Sequence, residues 1–327
     1  MGCSWHRFGI AGAGFCPERR GRPAGRCDGN VGCRQQPFPP ATCGPLGGGY
    51  AAVRRAHAVA MSSPPVSAIP ESVVFPLGGL HLGDLLMALP AIAAARRFAT
   101  PVVSGLQPRH FAAVSALPLL FRQNGPPAAR TLLPVWRTGQ HRTDGWLATL
   151  GAGVEPERMA IPVRGLAQAH GALPGPGWAL LSPWADHPPK RWHAQGWRQV
   201  AGHLRGRGYR IALIGPRPSA ALVSQICAAE DRVLVGMDSP TTWPALLTRA
   251  DIVVSPDTGC VHMADALGVP VVGLYGPTSA AEYGPYWQRD FCASAPDMAS
   301  LRADTVCERI DGLLSGLGRQ RQNRAAP

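Results

Sequence analysis

The chain has 327 residues, 46% of them hydrophobic and 16% charged, and a net charge of +12. That length accommodates two domains of ordinary size. No run of about 18 or more apolar residues offers a membrane-spanning helix, and no basic stripe interleaved with aromatics points to nucleic acid. A modestly basic body suits phosphorylated ligands or an anionic membrane face.

Residues 1–60 are rich in Gly, Pro, Arg and Cys, lack helical or strand periodicity, and hold eight arginines against Glu18 and Asp28. They are expected to be disordered or a non-native extension, with Met61 as the real start. Five of the nine cysteines (Cys3, Cys16, Cys27, Cys33 and Cys43) fall here; no Cys-x-x-Cys occurs anywhere. Zinc spacing is therefore missing and no metal is expected. The pattern fits idle thiols in a reducing cytoplasm.

Order begins near Val73. A strand is expected over 73–77, a glycine-rich loop over 78–83, and a helix over 84–98 kinked at Pro90. Further strands are expected over 101–104, 130–135 and 158–163. These make a short first domain within 61–172, ended by the break Gly171-Ala-Leu-Pro-Gly-Pro-Gly177. Within 173–327, strands over 178–182, 209–215, 232–236, 251–255 and 270–275 alternate with helices over 195–205, 219–229, 241–248 and 259–267. A last helix over 298–317 places Leu301, Ile310, Leu313, Leu314 and Leu317 near one face, and 318–327 is expected to fray. Alternating apolar strands and helices mean parallel sheets with right-handed crossovers. The fold class is thus α/β, with two parallel-sheet domains facing a cleft and ligands at the carboxyl ends of the strands.

Several residues at those ends can carry chemistry. Asp84 opens the first helix, either as its N-cap or as a carboxylate base at the cleft. Lys190 and Arg191 lie in Asp186-His-Pro-Pro-Lys-Arg-Trp192 just after a strand, where two cations on a proline-stiffened loop suit a diphosphate. Lys190 is the single lysine beside 31 arginines. Asp257, Thr258 and Gly259 turn from a strand into a helix, whose unpartnered first N–H groups favour an anion. The same residues could simply cap that helix. His262 lies one turn in and faces either the cleft or the core. Gly276-Pro277-Thr278 is a second loop on the same sheet edge, or an ordinary turn. No G-x-G-x-x-G, P-loop, G-x-S-x-G or H-E-x-x-H motif occurs, so dinucleotide, NTPase, α/β-hydrolase and zincin readings lose support.

The stretch Asp257-Thr-Gly-Cys-Val-His262, then Ala266-Leu-Gly-Val-Pro-Val-Val-Gly-Leu-Tyr-Gly-Pro-Thr278 and Gly284-Pro-Tyr286, resembles glycosyltransferase family 9, the bacterial ADP-heptose:lipopolysaccharide heptosyltransferases. Lys190-Arg-Trp192 resembles the family's donor-diphosphate loop, and Leu82-Gly-Asp-Leu-Leu-Met-Ala-Leu-Pro-Ala91 its first loop and helix. The resemblance implies a GT-B fold and an inverting, metal-independent transfer without a cofactor, from a nucleotide-sugar donor, an ADP-sugar, to a lipid-linked or glycan acceptor. It implies Asp84 as the base, with Gly83 beside it, and Lys190 and Arg191 on the departing diphosphate. Thr258 and Gly259 would hold that diphosphate, Asp257 would contact the sugar or order the loop, and His262 would support them. Loop 215–219 lacks the acidic residue often found at that place in the family. The implied location is the cytoplasm, peripheral at the inner membrane face. The alternative is a non-catalytic nucleotide-sugar-binding protein or partner subunit with a reduced acceptor domain, and an epimerase-like enzyme on the same architecture is a third reading.

Overall fold

The computed structural model describes residues 72–105, 117, 120–122, 129–215, 220–235 and 242–325. The expectations for residues 1–60 and for the loop after Gly215 lie outside the described residues. No helix among the described residues is long and apolar enough to cross a membrane.

Two sheets, each wholly parallel, form the framework. The first has four strands in the order β3-β2-β1-β4, from β1 (Ser72–Pro76), β2 (Thr100–Ser104), β3 (Leu120–Arg122) and β4 (Arg130–Thr131). The second has six in the order β10-β9-β8-β5-β6-β7. Its strands are β5 (Trp178–Leu181), β6 (Arg210–Gly215), β7 (Arg232–Val235), β8 (Ile252–Pro256), β9 (Val271–Tyr275) and β10 (Cys292–Ser294). The helices are α1 (Leu82–Ala95), α2 (Arg142–Leu150), α3 (Leu166–Ala172), α4 (Ala194–Gly206), α5 (Ala220–Ile226), α6 (Trp243–Leu247), α7 (Gly259–Ala266), α8 (Ala280–Tyr283) and α9 (Ala303–Ala325).

The apolar runs of the second sheet sort by period two, as a sheet buried on both faces requires. Leu180, Ala212, Ile214 and Val253 join a core shared with Phe75, Ile92 and Trp146 of the first sheet and its helices. Leu181, Ile211, Leu213 and Val254 face a second core with Trp197 and Leu204 of α4 and Ile310 of α9. The first core therefore runs without a break from one sheet to the other.

Four expectations are corrected. Residues 158–163 form no strand. Arg158 there donates to the Asp265 carbonyl at 2.8 Å and lies over the Trp287 ring, so side-chain contacts rather than a ladder hold the segment. The expected strand 130–135 shrinks to two residues, although Leu132 N–H still donates to the Val74 carbonyl; Pro134, which has no N–H, follows at once. The first helix starts at Leu82 and ends at Ala95, and its N-cap is His81, not Asp84. The last helix starts at Ala303 and continues through the expected frayed tail to Ala325, while Met298 and Leu301 are buried ahead of it. A short tenth strand, pairing with β9, was also not expected.

The break at 171–177 is held from outside. Arg249 donates to the carbonyls of Leu173 and Gly175, and Arg210 to those of Pro174 and Pro176.

Candidate functional site

Strand order places the site. After β5 the chain moves outward through β6 and β7, then returns to lay β8 on the other side of β5 and moves outward again through β9 and β10. The carboxyl ends of β5 and β8, paired at Leu181 and Val254, thus form a topological switch point, where an open parallel sheet leaves a crevice. The first sheet has its own between β1 and β4, because β2 and β3 lie to one side of β1 and β4 to the other. The loop after β1 leads into α1, and the turn after β8 leads into α7.

These two helix starts meet. A Cβ built on Gly83 would lie 3.0 Å from Cδ2 of His262, so the glycine lets the first turn of α1 run against the imidazole. One built on Gly259 would lie 3.6 Å from side-chain atoms of both Leu82 and Trp243. The structure therefore brings Gly83, Asp84, Gly259 and His262 to a single junction.

Asp84 is the third residue of α1, and its Oδ2 accepts the His81 N–H at 2.8 Å. The carboxylate thereby secures the helix start, where the dipole also favours it. Among the described residues its Oδ1 makes no hydrogen bond.

Lys190 ends a one-turn 3-10 helix, Pro188–Lys190, whose two prolines stiffen the loop. Its Nζ donates to Asp257 Oδ2 at 2.7 Å and to the Asp257 carbonyl at 3.2 Å. On the other side of the same carboxylate, His262 Nε2 lies 3.4 Å from Oδ1. Burial raises the carboxyl's pKa, but the His262 imidazole and the Lys190 ammonium together outweigh it and hold Asp257 at about 2. Asp257 is thus an anion that fixes a cation and an imidazole at the switch point.

Thr258 is the N-cap of α7; its hydroxyl accepts the Cys260 N–H and contacts Ser255 Oγ at 3.2 Å. Arg191 turns back on its own loop, donating to the carbonyls of Ala185 and Asp186. Gly276 answers a packing demand: its Cβ would lie 2.5 Å from the Met298 backbone nitrogen. Pro277 is exposed, and among the described residues the buried Thr278 hydroxyl has no hydrogen-bond partner. Among the described residues no group of three or more His, Cys, Asp or Glu is placed to hold a metal ion.

Sequence reasoning missed a second cluster, where the segment opening α2 meets the loop after α8. Arg142 pairs with Glu282 at 3.2 Å, and the Gly139 N–H donates to the same carboxylate. Tyr286 donates to Asp144 at 3.0 Å, and Arg289 pairs with Asp144 at 3.3 Å. The buried His141 joins Gly284. One signal was present, since His141 precedes Arg-Thr-Asp in the pattern of a helix cap, but its distant partners had none.

Residues 151–309 match the family model described as glycosyltransferase family 9 (heptosyltransferase). Over that span, a little under half of its length, the chain is similar to glycosyltransferase family 9. Lipopolysaccharide heptosyltransferase 1 of Salmonella typhimurium is 30% identical over 131 residues, covering 37% of this chain and 39% of the relative. The chain thus spans about two fifths of the length of that relative in the matched stretch. Among solved structures, a family 9 glycosyltransferase from Veillonella parvula superposes with a TM-score of 0.63 at 15% identity, covering 75% of this chain and 97% of that one. An E. coli heptosyltransferase solved with ADP gives 0.55 at 19% identity, covering 74% and 99%. These likenesses establish the fold, the GT-B arrangement of two parallel-sheet domains.

Proposed function

We propose that this chain is an inverting glycosyltransferase that moves a heptose-like sugar from an ADP-linked donor to a lipopolysaccharide or other glycan acceptor. The observation that carries the reading is that the start of α1, which bears Asp84, packs at Gly83 against His262 of the Lys190–Asp257–His262 network. The matched heptosyltransferases, one of them solved with ADP, support the donor class.

In this reading an acceptor hydroxyl oxygen attacks the anomeric carbon from the face opposite the nucleotide. Asp84 takes the hydroxyl proton as the new C–O bond forms. The bond from the anomeric carbon to the diphosphate oxygen breaks, and its electron pair leaves with ADP. Lys190 and the first N–H groups of α7, at Thr258 and Gly259, stabilise the charge that builds there. Asp257 holds Lys190 in place, His262 holds Asp257, and Arg191 shapes the loop that carries the lysine. Residues 61–172 would serve the acceptor and 173–327 the donor.

Titration calorimetry with ADP, UDP and GDP tests the donor half. ADP is expected to bind in preference to the others, and Lys190→Ala to weaken it by about tenfold to a hundredfold, the worth of one charge-assisted hydrogen bond. Equal affinity in the variant would remove Lys190 from the donor site, and no binding of any nucleotide by wild type would overturn the transferase reading and the nucleotide-sugar-binding alternative alike.

A peripheral contact with the cytoplasmic membrane face belongs to the same proposal. Arginine excess supports it, as do Leu133, Val135 and Trp136, exposed beside Arg137 in the loop after β4. Wild type is expected to co-sediment with vesicles containing anionic lipid and to lose this on Leu133→Ser with Val135→Ser. Retention of binding by the double variant would remove that loop from the contact.

A further inference from the structure

Two of the cluster's contacts form a continuous route between the halves of the junction. His141 is the N-cap of α2 and is 1% exposed. Its Nδ1 accepts the Thr143 N–H at 3.1 Å, so the ring proton resides on Nε2, which donates to the Gly284 carbonyl at 2.9 Å. The Thr143 hydroxyl donates in turn to the Met87 carbonyl at 2.7 Å. Met87 lies in α1, one turn beyond Asp84. Gly284 lies in the loop that follows β9 and α8. A buried imidazole with both nitrogens committed thus joins the helix bearing Asp84 to the half bearing the Lys190–Asp257 pair. The ring also packs against Tyr286, centroid to centroid at 5.0 Å, and Tyr286 is itself held by Asp144.

We infer that His141 is a positioning residue for the transfer: it clamps the Gly284 loop to α1 and so sets the distance between Asp84 and the donor site. The inference rests on the transferase reading for its catalytic consequence, but the clamp is a property of the chain alone. Reacting groups must be held close to their productive geometry, and small displacements cost large factors in rate. Two ion pairs flank the clamp: Arg142–Glu282, largely buried, supports it from α8, and Asp144–Arg289, the more exposed, contributes less to fixing a distance.

The test compares wild type, His141→Ala and His141→Gln. The glutamine amide offers an N–H near the position of Nε2, so it keeps the bond to Gly284 while changing the ring. For His141→Ala, kcat is expected to fall by about tenfold to a hundredfold while ADP affinity stays within about twofold. His141→Gln is expected to recover most of the loss. Hydrogen exchange followed by mass spectrometry, on protein without donor or acceptor, should quicken in peptides spanning 139–146 and 280–289 but not in 252–275. The inference is overturned if kcat and ADP affinity fall together, if Gln is no better than Ala, or if exchange rises throughout or nowhere. Because exchange is read without substrate, it decides the clamp even if wild type shows no transfer, which would count against the transferase reading instead.

Discussion

Asp84→Asn is expected to lower transfer by about a hundredfold to ten-thousandfold, the usual contribution of one positioned base, and to leave ADP affinity unchanged. The two readouts separate because of where the carboxylate sits. Asp84 belongs to the first turn of α1, whereas the proposed diphosphate contacts belong to Lys190 and the start of α7. The asparagine side chain still offers an oxygen to the His81 N–H, so the helix start survives and only the capacity to take a proton is lost. Steady-state kinetics on the variant, with its melting temperature as the control for folding, makes the measurement. Transfer at the wild-type rate by a folded variant would refute the assignment of the base.

Acidification from pH 7 to pH 4 is expected to remove about 3 kcal/mol of stability through His141. Burial, opposed by the bond to Gly284, lowers its pKa from 6.5 to about 4. Nearby Arg289 and His262 contribute to that lowering, and Asp144 opposes it. Between those two values the unfolded chain binds a proton that the folded chain refuses, so stability falls as the pH falls through this window. Two carboxyls act elsewhere or oppositely. Asp257, held at about 2, adds a loss only below the ordinary carboxylate range. Asp265, pushed up by burial despite bonds from Trp287 and Gln288, takes its proton sooner in the folded state and offsets part of the loss. Urea titrations at pH 7 and pH 4 measure the effect, and His141→Gln should flatten the difference. An equally steep fall in the variant would assign the acid sensitivity to another group.

The second sheet was legible because its strands are short apolar runs bounded by turn residues, and burial on both faces demands that pattern. Ile252–Pro256 and Val271–Tyr275 fall within a residue of their expected limits. Residues 158–163 misled because Met159, Ile161 and Val163 recur at every second position, the spacing of a half-buried strand, although the residues between them are Ala160 and Pro162. Their apolar side chains instead meet the first core from an irregular segment anchored by Arg158. Strand β10, at three residues, gives no periodicity to read.

At the site, single residues were legible and their pairings were not. Lys190 stood out as the chain's one lysine, and Asp257-Thr258-Gly259 as a strand-to-helix turn. That Lys190 binds Asp257, 67 positions away, follows only from β8 returning to β5. The pairings around His141 were hidden for the same reason: its helix-cap position could be read, but the partners lie about 140 positions on and no local pattern announces them.

The lone lysine also makes the molecule its own reporter. A protease that cuts only after lysine has one bond to attack in the whole sequence, the one joining Lys190 to Arg191. Cleavage requires the Lys190 side chain to leave Asp257 and enter the protease's specificity pocket, so the digestion rate measures how often that ion pair opens. Anything that settles on the ammonium slows the cut, and reductive methylation with isotopic carbon would label this one side-chain amine for magnetic resonance.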